Sequence, residues 1–226
     1  MSETSPELWS DLDGTAVVKL SKLNPRNWLK YPLGAIAGYE DFVRGVGKAG
    51  VRMGGIVSIR PDILPRRLVT RRSMRQHGYD QLFPRSDQVI LAGSEAEKAR
   101  HLIERSREAP VCMIDDNPQH IGEALVTAML AKPGRYPILL GAVDNPQNEH
   151  RYSRFSGHVD WVNAWGPDKE KIRVERFMPE GMLGKLDMPG MHVGIGAAAL
   201  HFVQLPPYSA EAGQAFGGMM LQMAAP

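Results

Sequence analysis

Between residue 7 and about residue 165 the chain alternates short apolar runs with stretches whose apolar residues recur at helical spacing. This alternation narrows the fold more than any other feature. Strands that are separated by amphipathic helices return to the sheet through crossovers and so pair in parallel. Leu8-Trp9-Ser10 reads as a first strand, although Glu7 and Ser10 interrupt its apolar run. A helix over Tyr39–Lys48, stopped at Gly50, leads to a second strand over Val51–Ser58. Asp62 to about His77 is helical, with Gly78 placed to end it in the left-handed conformation. Gln88–Ala92 forms a third strand. Ser94-Glu95-Ala96-Glu97 has capping-box spacing and opens a helix with Ala96, Ala99, Leu102 and Ile103 on one face. Pro110–Ile114 is a fourth strand. Asn117-Pro118 supplies an N-cap and a first-turn proline for a helix carrying Ile121, Ala124, Leu125 and Ala128, and Tyr136–Leu140 is a fifth strand. The expected architecture is α/β: a doubly wound, Rossmann-like parallel sheet with helices on both faces, over residues 1–165.

The character changes after Gly166. From Met188 to Pro226 the only charged residue is Glu211, and Gly, Met, Ala and Pro dominate. Residues 166–226 are therefore expected to form a C-terminal appendage that packs on the core or on another subunit. In a chain of 226 residues, 43% hydrophobic and 23% charged, the core needs neither disulfides nor structural metals. A net charge of +2 does not by itself call for a polyanionic partner. The single cysteine, Cys112, excludes an intrachain disulfide and reads as a small buried hydrophobe. The polar, acidic N-terminus lacks the features of a signal peptide, and no run approaches the ~18–20 apolar residues that span a bilayer, so a cytoplasmic location is expected. The seven histidines show no metal-ligand spacing and read as packing or surface residues.

Chemistry is concentrated in Asp11-Leu12-Asp13-Gly14-Thr15, directly after the first strand. Open α/β sheets bind ligands at the carboxyl ends of their strands. A carboxylate there can attack phosphorus and split one difficult displacement into two easier ones. It needs a cation to lessen its repulsion from the phosphate, and Mg2+ prefers carboxylate and phosphate oxygens. A second carboxyl two residues on can protonate the leaving group and then deprotonate water. Gly14 allows close backbone approach.

This DxDGT run resembles the first motif of the haloacid dehalogenase (HAD) phosphatases, and the three further motifs of that superfamily can be followed in order. The resemblance implies that Asp11 is the nucleophile and Asp13 the general acid and base. Thr15 and Ser58, the latter ending Gly55-Ile56-Val57-Ser58, would bind phosphate together with Lys98. In Val111-Cys112-Met113-Ile114-Asp115-Asp116, Asp116 would bind Mg2+ alongside Asp11 and the backbone carbonyl of Asp13, with Asp115 supporting. Asp144, in a second Asp-Asn-Pro-Gln run, is a rival for the metal-binding acid. The same resemblance admits a phosphotransferase with another acceptor than water, and a catalytically weak binding or scaffold protein of the same fold. HAD enzymes commonly insert a cap domain after the first motif or between the second and third. Here only about Val17 to Gly38 is spare in the first interval, and Ile59 to Ala92 is filled by one helix, a loop and a strand, so neither holds a domain and a minimal cap and an open cleft are expected.

Arg67, Arg71 and Arg75 share a helical stripe, with Arg60, Arg66 and Arg72 nearby. Such stripes are usually solvated faces. Arg60, Arg67 and Arg71 are nonetheless candidate contacts to a phosphorylated substrate, small or macromolecular, because arginine grips phosphate bidentately. Aromatic residues for stacking bases are absent from this helix, which weakens a single-stranded nucleic-acid partner. A homo-oligomer is compatible with the tail, and no membrane partner is expected.

Overall fold

The computed structural model describes residues 5–18, 34–143, 172–177, 190–195 and 198–224. Five parallel strands make its centre: β1 (Glu7–Ser10), β2 (Arg52–Ser58), β3 (Val89–Leu91), β4 (Val111–Asp115) and β5 (Ile138–Val143). Between them run α1 (Tyr39–Lys48), α2 (Leu64–Gln76), α3 (Glu95–Arg105) and α4 (Pro118–Ala131). The sheet continues through β6 (Ile172–Phe177), β7 (Gly190–Ile195) and β8 (Ala198–Leu205), and the chain closes with helix α5 (Ala210–Ala224). Strand order is β3-β2-β1-β4-β5-β8-β7-β6, eight strands among the described residues. The first six in that order are mutually parallel; β7 pairs antiparallel with β8, and β6, antiparallel to β7, runs with the first six again. This is the mostly parallel, Rossmann-like α/β sheet expected.

The central strands are apolar on both sides because both sides are covered. Cys112, Ile114 and Leu139 join a core with Phe42, Val46 and Phe216, on the face that carries α1 and α5. Their strand neighbours Val111, Met113 and Leu140 join a second core with Leu102, Ile121 and Leu125, under α3 and α4. Cys112 is fully buried, which pushes its thiol pKa well up, as befits a packing residue. The helix starts follow their local chemistry. Ser94 caps α3 by accepting the Glu97 amide at 3.2 Å, and a proline stands in the first turn of both α2 and α4.

The C-terminal segment departs from the expected appendage. β8 is the parallel neighbour of β5, with Ile138 opposite Leu200 and Val143 opposite Leu205. Helix α5 lies against α1, and glycines let the two backbones close on each other. A Cβ at Gly45 would meet the Ala210 carbonyl, and one at Gly213 the Phe42 carbonyl. Phe216 and Met220 from α5 are fully buried in the α1-side core. The Gly, Ala and Met richness of this stretch is thus the composition of a helix pressed against another helix and a sheet. The interval Ile59 to Ala92 holds α2, a short 3-10 turn over Ser86–Gln88 and β3, as its length required. Of the other interval, residues 19–33 lie outside the described residues. Among the described residues no helix is long and apolar enough to cross a membrane.

Candidate active site

Strands β3-β2-β1 step one way from the middle of the sheet and β4-β5 the other, so the topological switch falls between β1 and β4. Open sheets leave a crevice at the carboxyl ends of the strands there. Asp11 follows β1, and Asp115 and Asp116 stand at the end of β4. Oxygens of these three carboxylates lie within 4.8 Å of one another, and all three residues are buried.

Lys98 reaches the cluster from the second turn of α3. Its ammonium donates to Asp11 Oδ1 at 2.8 Å and to Asp115 Oδ2 at 2.6 Å. Asp115 Oδ1 accepts the Asn117 amide at 2.7 Å, which turns the chain into α4. Burial is the largest influence on Asp11 and pushes its carboxyl well above the usual range. Lys98 opposes this, while Asp115, Asp116 and Asp13 reinforce it. Burial likewise works against the Lys98 charge, but Asp11 and Asp115 outweigh it, and the ammonium's pKa is raised. The buried acids therefore hold the lysine charged, while the one nearest the strand end lacks enough positive charge around it.

The loop after Asp11 is fixed from several sides. Gly14 takes a φ of 91°, where an L side chain would be strained. The amides of Ala16 and Val17 fold back on the Leu12 carbonyl at 3.0 and 2.9 Å. Tyr79 donates to the Ala16 carbonyl at 2.8 Å, and Tyr208, just beyond β8, donates to that of Thr15 at 3.2 Å. Thr15 is fully buried, and its Oγ1 accepts the Asp116 amide at 2.9 Å. It ties the loop after β1 to the end of β4.

Arg60 lies beside this loop. From the end of β2 it grips Asp13, donating from Nε to Oδ2 at 2.7 Å and from the terminal nitrogen to Oδ1 at 2.5 Å. Its remaining nitrogen donates to Thr70 of α2 at 2.9 Å. Ser58 is buried, and its Oγ accepts the Arg60 amide at 3.3 Å, leaving the hydroxyl hydrogen to donate. Arg67 pairs with Asp62 on the outside, and Arg71 is exposed on the solvated face of α2, so neither is brought to the cluster. Arg66 is half-buried, its pKa lowered by burial and by Arg60, with Asp13 acting the other way. The site thus unites Asp11, Asp13, Ser58, Lys98, Asp115 and Asp116, and adds Arg60 as the partner of Asp13. Asp144 lies outside the described residues. Tyr79 and Tyr208 carried no signal in the sequence, because each acts on the loop through a phenol far away in the chain.

The donor set suits a hard divalent cation. All three clustered side chains offer oxygen, the charge is negative, and the excess repulsion on Asp11 is what a cation would relieve. A separate cavity of about 470 Å³, lined among others by Glu7, Trp9, Arg52 and Arg105, opens at the amino ends of the strands, away from this cluster.

Fold and site together define a Rossmann-like α/β protein with a buried, lysine-bridged acidic cluster that could hold a metal ion. Comparison with protein-family models, with curated proteins and with solved structures finds no match to this chain.

Proposed function

We propose that this chain is a magnesium-dependent phosphoric monoester hydrolase of the haloacid dehalogenase type, with Asp11 as its nucleophile. The observation that carries this reading is the Lys98 bridge. One ammonium fixes Asp11 Oδ1 and Asp115 Oδ2 at the topological switch point, beside Asp116. Asp11, Asp116 and the Asp13 carbonyl would hold Mg2+, which when bound lessens the repulsion between the carboxylates and a phosphate.

With Oδ1 held by Lys98, Oδ2 of Asp11 is the oxygen left to attack. It bonds to phosphorus as the ester P–O bond breaks, and Asp13 delivers its proton to the departing oxygen. Asp13 then takes a proton from water, the water oxygen bonds to phosphorus, and the Asp11–phosphorus bond breaks. The Ser58 hydroxyl and the third N–H of Lys98, two being spent on Asp11 and Asp115, donate to the phosphoryl oxygens as charge builds there. Arg60 donates to each Asp13 oxygen, so the bond to the oxygen that handles the proton must open while the other can keep the carboxyl in position.

The test is phosphate release from an aryl phosphate, nucleotides, sugar phosphates, phosphopeptides and phosphorylated nucleic-acid ends, with Mg2+ and with chelator. Turnover of one class that needs Mg2+ and disappears in Asp11→Asn is expected. An Asp11→Asn protein within tenfold of wild type would remove Asp11 from the chemistry, and no turnover of any class would favour a scaffold role.

A further inference from the structure

The extension of the sheet beyond β5 brings together two histidines that lie nine positions apart in the chain. β7 and β8 are antiparallel, and His192 stands directly opposite His201. Residues opposed in this way project to the same face of the sheet. Their ring centroids are 4.6 Å apart at an interplanar angle of 56°, and the two Nδ1 atoms are separated by 3.2 Å. Along β7 the same-face neighbours of His192 are Gly190 and Gly194, so no side chain of that strand crowds the pair.

A separation of 3.2 Å suits an N–H···N hydrogen bond between neutral imidazoles. It also suits two ligands of one ion. Tetrahedral zinc, with Zn–N distances of about 2.0–2.1 Å, holds two nitrogens about 3.3 Å apart. The sheet register has therefore set the nitrogens at ligand spacing without any ion. Coordination needs only that the donor ring carry its hydrogen on Nε2 instead of Nδ1, a tautomer change with no net proton released. The donor set is also unlike that of the acidic cluster. Imidazole favours zinc, nickel, copper and cobalt, whereas an all-carboxylate site favours magnesium. The two places are separate in the fold: His201 is level with Leu139 near the start of β5, while Asp115 is level with Ala142 near its end.

We propose that His192 and His201 are paired ligands of a zinc-class divalent ion, held on the β7–β8 extension. The ion would clip the antiparallel strands together and stabilise them by its binding free energy. This site is independent of the reading of Asp11.

The experiment is a Co2+ titration of the tag-free, full-length protein in saturating Mg2+, which occupies the acidic cluster, read from the visible d–d absorption and reversed with Zn2+. One equivalent of Co2+ should give bands that Zn2+ abolishes, and His192→Phe and His201→Phe should each weaken binding tenfold or more. The Asp11→Asn/Asp116→Asn protein should keep the signal, and losing it there would place the ion in the acidic cluster and overturn the proposal. Imidazole nitrogen NMR of the unaltered protein needs no variant to fold. One equivalent of Zn2+ should move both Nδ1 resonances, and unmoved resonances, or histidine variants that bind Co2+ like wild type, would refute the site.

Discussion

Replacing Lys98 by methionine tests whether the acidic cluster is held together as the geometry says. Methionine keeps most of the stem and volume and deletes the charge. Lys98 is 1% exposed and its partners Asp11 and Asp115 are 8% and 3% exposed, at 2.8 and 2.6 Å. At an effective dielectric of ~20 each contact is worth about 6 kcal/mol of Coulomb attraction before desolvation and repulsion among the acids are subtracted. Removing one partner of such a buried pair costs about 3–5 kcal/mol, because the remaining charges stay buried without compensation. In a domain of this size that is a fall in Tm of roughly 6–20 °C. The pH dependence has a definite sign. The Lys98 pKa is raised, so its contribution is whole at any pH below the ordinary lysine value and does not itself vary between pH 4 and 8. The Asp11 pKa is raised too, so its ionisation costs stability as pH climbs above the ordinary carboxyl value, and loss of Lys98 raises it further. The gap between wild type and Lys98→Met should be small near pH 4.5 and widen towards pH 7.5. Urea denaturation in chelator at the two pH values measures it. A gap under about 1 kcal/mol at pH 7.5, or the same gap at both, would refute the bridge as a structural element.

Asp11→Asn should lose turnover yet resist urea better than wild type in chelator at pH 7.5, since the amide removes a carboxylate that burial and three acids disfavour; a less stable variant would contradict this. Mg2+ should raise the wild-type Tm at pH 7.5 by relieving the same repulsion, and a scan unmoved by millimolar Mg2+ would count against a metal at the cluster. Arg60→Met should fold normally and lower kcat/KM by roughly tenfold or more, with Arg60→Lys recovering part of it; full activity would separate Arg60 from the acid's function. Phe216→Ala should cost about 3–5 kcal/mol, and truncation before β8 should give an insoluble or unfolded product, because α5 and β8 complete the core. A soluble, folded truncation would restore the tail to an appendage.

The parallel sheet was legible because its signals are local: apolar runs, caps, prolines and glycines at the element ends. So were the clustered acids, since strand ends fix where their side chains meet, while Lys98, on α3, was reached through the resemblance. What escaped depended on partners remote in the chain. Glu7 looked like an interruption of β1, but it is buried, with Arg105 donating to both its oxygens, Arg52 adding a bond at 2.6 Å and the Trp9 indole one at 3.3 Å. Ser10 donates to the Asp11 carbonyl at 2.7 Å and so belongs to the turn as much as to the strand. β5 runs on to Val143 because β8 is there to pair with it, and β8 shows no alternation because Phe202 and Val203 face different cores. Helix α5 is apolar over most of its surface and rich in glycine, so its period is blurred. The histidine pair has no sequence spacing at all. It exists only through the β7–β8 register.

Asp11 and Asp13 stand two residues apart in one loop, yet their cations are of opposite kinds. Lys98 is sealed beneath the strands, where a charge pair cannot separate without leaving charge buried in protein. Arg60 and Asp13 are 11% and 26% exposed, so water can replace either partner and the pair can open at far smaller cost. A nucleophile gains from a fixed oxygen, because attack depends on its alignment with phosphorus. A general acid and base must change its bonding twice in each cycle, so a partner that yields serves it better than one that does not. On the proposed reading the two pairings suit a division of labour between the carboxylates: the rigid cation lies where a nucleophile would need position, and the yielding one where a proton would have to move.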